Sequence, residues 1–298
     1  MLERLGFRLR AVGFGSDFYG LPASGSRLAR RRRQFWCFVA RDTIPRAMPQ
    51  SSAHGAVPGN TGVISSATKG LAVVVLLLLG LRQPLALSPA CVPRAVTLYV
   101  AVVVLATRNL ANHHPFRQFG AANQVTTLRA ALVAVVAGLI GEPETSEVGA
   151  IAAAVATAAT LLDGLDGWLA RRSRMASRFG ARFDMEVDAL LILVLSILAW
   201  RHGKAGPWVL LSGLLRYAFI AAGWMAPWVR IALPTSRRRQ AVCVVQVVGL
   251  LVVMAPAIQP PPSVWIAAVS LAVLAWSFAV DIAWLWRRTP DGATAARV

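Results

Sequence analysis

Four aspartates, Asp163, Asp166, Asp184 and Asp188, are spaced so that each pair shares one face of a helix, the first two lying three residues apart and the second two four. Gly167 and Ala170 fall on the first acidic stripe with Arg171 beside it, and Gly180 precedes Asp184 by one turn. Stripes so poor in side chain leave room for a ligand against the backbone. Carboxylates at the ends of apolar segments are costly without a cation, and four together suit a hard divalent metal, which takes oxygen ligands. The same acids could pair with Arg171, Arg172, Arg174, Arg178 and Arg182 in a solvated loop, but a charged loop does not require the glycines.

The whole run, DGLDGWLARRSRMASRFGARFDMEVD, resembles the signature of the CDP-alcohol phosphatidyltransferase family, DxxDGxxAR(x8)GxxxDxxxD, at every fixed position and every gap. The resemblance extends over Gln118–Arg288. It implies that Asp163, Asp166 and Asp184 ligate metal, with Asp188 in the same carboxylate set and acting as the base. It further implies that Gly167, Ala170, Arg171 and Gly180 belong to the CDP-binding part of the motif. A second pattern, NxxTxxR at Asn123, Thr126 and Arg129, resembles the start of the family's first core helix. Asn123 and Thr126 then either bind phosphate or cap the helix, two roles that can coexist at a helix N-terminus.

The chemistry implied is transfer of a phosphatidyl group from CDP-diacylglycerol to an alcohol, with release of CMP. The donor pyrophosphate needs its charge neutralised, which two Mg²⁺ or Mn²⁺ ions would do, and the alcohol must lose a proton. Spacing alone leaves open which acid is the base. The family's core is a six-helix membrane bundle, usually a homodimer.

Composition points the same way. Apolar residues make up 56% of the 298-residue chain, and the mean hydropathy is +0.58, high for a soluble domain. The net charge of +18 comes almost wholly from arginine, and no polar domain carries it, which argues against a nucleic-acid partner. Cys37, Cys91 and Cys243 have no metal-ligand or disulfide spacing, and His54, His113, His114 and His202 are scattered through polar segments.

Four regions follow. Residues 1–66 form a basic tail without sustained apolar periodicity, expected to be disordered; its Arg30–Arg33 cluster could hold anionic lipid. Residues 67–110 hold two short apolar stretches, Leu71–Leu81 and Val96–Ala106, read as an N-terminal transmembrane hairpin. Residues 111–288 form the catalytic core and 289–298 a tail. The core holds six longer apolar segments, Val125–Ile140, Val148–Leu162, Asp184–Trp200, Trp208–Val229, Gln240–Ile258 and Val264–Trp286. The expected fold is therefore an all-α, polytopic membrane protein.

Loop charge alternates. The loop Glu142–Glu147 is acidic and the loop Gln259–Ser263 uncharged, while Arg171–Arg182, Arg230–Arg239 and Arg287–Arg288 are basic. The positive-inside rule puts the basic set, and with it the aspartates, at the cytoplasmic face of the cell membrane; His202 and Lys204 in an outer loop are a mild exception.

Arg216 lies deep in an apolar segment and calls for a function or a buried ion pair. With Arg129, Arg178 and Arg182 it suggests a second anion, hence a phosphorylated polyol as acceptor. Glu186 points about 200° away from Asp184 and carries no catalytic role. Asp281 is expected to pair near Arg287 at the interface. Two other classes remain in view. An intramembrane prenyltransferase also binds diphosphate through acids and magnesium but lacks the DGxxAR…G frame. A divalent-cation transporter would carry its acids near the midplane instead of at one face.

Overall fold

Apolar segments broken by Gly, Pro and Arg produce a chain of helices. The computed structural model describes residues 60–108, 119–173, 178–230, 233 and 236–288, and every regular element among them is helical. In order these are α1 (Asn60–Arg82), α2 (Cys91–Thr107), α3 (Ala121–Gly138), α4 (Ser146–Ser173), α5 (Arg178–Arg201), α6 (Leu211–Met225), α7 (Arg237–Met254) and α8 (Pro262–Trp286). Four stretches are long and apolar enough to cross a bilayer: Gly62–Arg82, Ala121–Gly138, Ser146–Leu165 and Pro262–Trp286. The protein is a membrane-embedded helical bundle. α5 and α7 bring charges into their first turns, and α2 and the stretch Pro207–Gly223 are apolar but shorter.

Several boundaries differ from the sequence expectation: α4 runs on to Ser173 and α5 begins at Arg178, within the expected loop Arg171–Arg182. Residues 1–66 were expected to lack structure, yet α1 begins at Asn60. Its first turn passes close to Phe119, an approach that an apolar period does not reveal: a Cβ on Gly62 would stand 3.4 Å from the Phe119 Cβ. The segment Trp208–Val229 is not one helix but α6 between two 3₁₀ turns, Pro207–Leu210 and Pro227–Arg230. Each turn opens on a proline, which cannot donate to a continuing helix. The basic tail over 1–59 and the tail over 289–298 lie outside the described residues.

α3 is the central helix. Its small apolar residues, from Ala130 to Ala137, are buried between α1 and α2 on one side and α4 and α5 on the other. The hairpin α1–α2 packs onto it through Leu78, Cys91 and Ala95, and Tyr99 of α2 closes the hairpin itself, donating to the Ala67 carbonyl of α1 at 2.9 Å. At Gly138 the three helices nearly touch: a Cβ there would lie 3.0 Å from both the Ala95 Cβ and the Cys91 carbonyl. Small residues at such a crossing are the usual route to close packing in lipid, where no hydrophobic force drives helices together.

The hairpin is also fastened by polar groups at the end of α3. The buried Glu142 carboxylate accepts from the Ser88 backbone N–H at 2.6 Å and the Ser88 hydroxyl at 2.7 Å, and it pairs with Arg94. Arg94 donates besides to the Ile140 carbonyl. On the same side, Lys204 donates to the Ile258 carbonyl at 2.6 Å, just beyond the C-terminus of α7. A cation suits that position, which accounts for the one lysine that departs from the loop-charge pattern.

Candidate metal centre

The sequence motif lies across two helices, and a third completes it. Asp163 is on α4, and Asp184 and Asp188 lie one turn apart on α5. One carboxylate oxygen from each of the three falls within 4.8 Å of the others, so the fold does bring them into one cluster. Asp166 follows Asp163 by one turn within α4; its side chain and those of Gly167, Ala170 and Arg171 lie outside the described residues. Gly180 is half-buried on the first turn of α5.

Arg129 of α3 reaches all three acids. It pairs with Asp163 at 2.8 Å and also with Asp184 and Asp188. Its Nε donates to the Ala159 carbonyl of α4 at 3.1 Å. The Arg129 side chain is 1% exposed, against 41% for Asp163, 35% for Asp184 and 26% for Asp188. The guanidinium therefore sits behind the carboxylates, which remain open on the opposite side. This donor set fits a hard divalent cation, because clustered carboxylate oxygens are its preferred ligands. On their enclosed side the three acids already share one buried cation.

The role of Arg129 could not be read from its place in NxxTxxR. Pattern puts it on the helix that begins the core, but only the packing of α3 against α4 and α5 points it at the motif. The other two residues of that pattern are buried in the first turns of α3. Neither caps the helix, whose N-cap is Gly120 at φ 77°, a left-handed turn that a glycine makes without strain. Asn123 donates from Nδ2 to the Phe119 carbonyl at 2.5 Å, and the Thr126 hydroxyl donates to the Ala122 carbonyl at 3.1 Å.

Arg216 meets Glu186 at 2.7 Å, joining α6 to the face of α5 away from the aspartates. Arg129 and Arg216, two of the four arginines invoked for a second anion, are thus both bonded to carboxylates. Glu186 and Tyr217 border an apolar cavity of about 310 Å³ between α2, α5 and α6, walled by Leu98, Val102, Phe179 and Phe183. Asp281 is held from α7, by Arg238 and by Arg239 at 3.6 Å, so its ion pair ties α7 to α8. The ring of Trp228 meets that of Trp286 edge-on at 5.5 Å, bringing the turn after α6 to the end of α8.

The family model for CDP-alcohol phosphatidyltransferase matches residues 119–280, which begins just before α3 and ends within α8. The hairpin α1–α2 lies outside the matched part. Neither a search of individual curated proteins nor one of solved structures gives a match.

Proposed function

Since this chain belongs to the CDP-alcohol phosphatidyltransferase family, we propose that it transfers the phosphatidyl group of CDP-diacylglycerol to an alcohol and releases CMP. The observation that carries the reading is the convergence of Asp163, Asp184 and Asp188 at one open cluster. Asp163, Asp166 and Asp184 would hold Mg²⁺ or Mn²⁺, two ions in the family's pattern. When bound, the metal neutralises pyrophosphate oxygens and stabilises the charge that develops on the leaving CMP.

The chain's own residues do the rest. Gly180, with Gly167 and Ala170 of the motif, keeps the helix faces low so that the nucleotide can lie against them, and Arg171 offers a fork to phosphate. Asp188 takes the proton from the acceptor hydroxyl as its oxygen bonds to the phosphatidyl phosphorus. The bond from that phosphorus to the CMP oxygen breaks, and its electron pair leaves with CMP. Asn123 and Thr126 belong to the nucleotide end of the site in this reading.

The same proposal places the protein in the cell membrane as a homodimer, with the carboxylates at the cytoplasmic face. The test is release of CMP by purified protein from CDP-diacylglycerol, with glycerol 3-phosphate, an inositol phosphate, free inositol and serine as acceptors. Release that requires an acceptor, stops in EDTA and returns with Mg²⁺ or Mn²⁺ supports the reading. Full turnover in EDTA sinks the metal assignment, and absence of CMP release with every acceptor sinks the transfer.

A further inference from the structure

We propose that Arg129 is a resident counter-cation of the carboxylate cluster, which keeps the site assembled without metal and lowers its affinity for metal. It is a positioning residue; it touches the acids and not the substrates. The inference rests on the proposed function only in taking the acids for a metal site.

Three observations carry it. The guanidinium is buried, and it bonds to acids from both α4 and α5, so one side chain of α3 joins the three helices that build the site. Its Nε is anchored on the Ala159 carbonyl, a backbone group of α4 that offers the side chain a fixed seat. It approaches the acids from the enclosed side, so a metal entering from the open side meets carboxylates already shared with a cation.

Electrostatics then fixes the sign of the effect. Without metal, carboxylates this close repel one another, and a cation among them removes that repulsion. With metal bound, the same guanidinium repels the ion. Arg129 thus narrows the difference between the empty and the loaded site. An enzyme so built does not come apart at its centre each time metal leaves.

The test uses full-length protein in detergent and two readouts other than activity. One is the thermal midpoint with and without Mn²⁺, and the other is Mn²⁺ affinity measured from free ion by electron paramagnetic resonance. Arg129→Gln is expected to lower the metal-free midpoint more than the Mn²⁺-loaded one, and to bind Mn²⁺ at least about tenfold more tightly than wild type. Arg129→Lys keeps the charge and is expected to return Mn²⁺ affinity close to the wild-type value. An equal fall of both midpoints, or unchanged or weaker Mn²⁺ binding by Arg129→Gln, means that Arg129 only packs the helices and overturns the proposal. Should Arg129→Gln fold in neither condition, adding Asp188→Asn relieves the repulsion and is expected to restore folding. Failure of that double variant also overturns it. Wild type that releases no CMP would defeat the transfer reading while leaving these measurements to decide the role of Arg129.

Discussion

At the scale of single residues, the acids of one cluster differ in what each is asked to do. Asp163 and Asp184 are metal ligands in the proposed reaction, so Asp163→Asn or Asp184→Asn should weaken Mn²⁺ binding and turnover together. Asp188→Asn should keep metal and CDP-lipid binding while transfer falls by about 10²–10⁴-fold, the usual worth of a general base. Near wild-type transfer by that variant would move the base elsewhere. A different outcome is expected at Arg216, because it pairs with Glu186. Arg216→Gln should destabilise by about 1 kcal/mol, the scale of a part-exposed pair. Much of that loss should return in the Arg216→Gln, Glu186→Gln double variant, as a double-mutant cycle would show. A selective rise in acceptor KM instead would return Arg216 to the site. The convergence of Asp163, Asp184 and Asp188 was legible in sequence because spacing sets each motif pair on one helix face. Arg129 was legible only as the end of a pattern, since what it touches depends on how three helices cross.

At the scale of elements, the helices that carry the acids are set by their neighbours at close range. α6 crosses α5 at Gly213, where a Cβ would stand 2.6 Å from the Leu193 Cα. Backbone cannot yield as a flexible side chain can, so Gly213→Ala should push α6 and α5 apart at a cost of about 1–3 kcal/mol. Because Asp184 and Asp188 ride on α5, transfer should fall with stability, read as a lower thermal midpoint and lower turnover in the same preparation. An unchanged midpoint would show that the crossing is looser than described. Helix existence was legible almost throughout, since apolar runs between charged or Pro-containing loops leave few alternatives. Ends were less so. The first turns of α1 lack an apolar period and pass close to Phe119, and the ends of α6 are set by Pro207 and Pro227 within what composition reads as one apolar segment.

At the scale of the whole molecule, the carboxylate cluster and the fastening of the hairpin lie on different parts of the bundle. Arg94, Ser88 and Glu142 join the turn between α1 and α2 to the loop between α3 and α4. If that loop is external and the site cytoplasmic, a cysteine at Thr145 should be labelled only from outside and one at Ser236 only from the cytoplasm. The native cysteines must first be replaced. Labelling of both from one face would break the proposed topology. The placement of α3 has a consequence for how the chain is made. α3 carries a cation about one turn inside the apolar segment Val125–Ile140, a charge that is costly in lipid until it is paired. Its carboxylate partners are on α4 and α5, which the ribosome has not yet delivered when α3 enters the bilayer. The hairpin has. α1 and α2 are synthesised first, so Leu78, Cys91 and Ala95 are already in place when α3 follows, whereas the charge of Arg129 waits for the acids of α4 and α5.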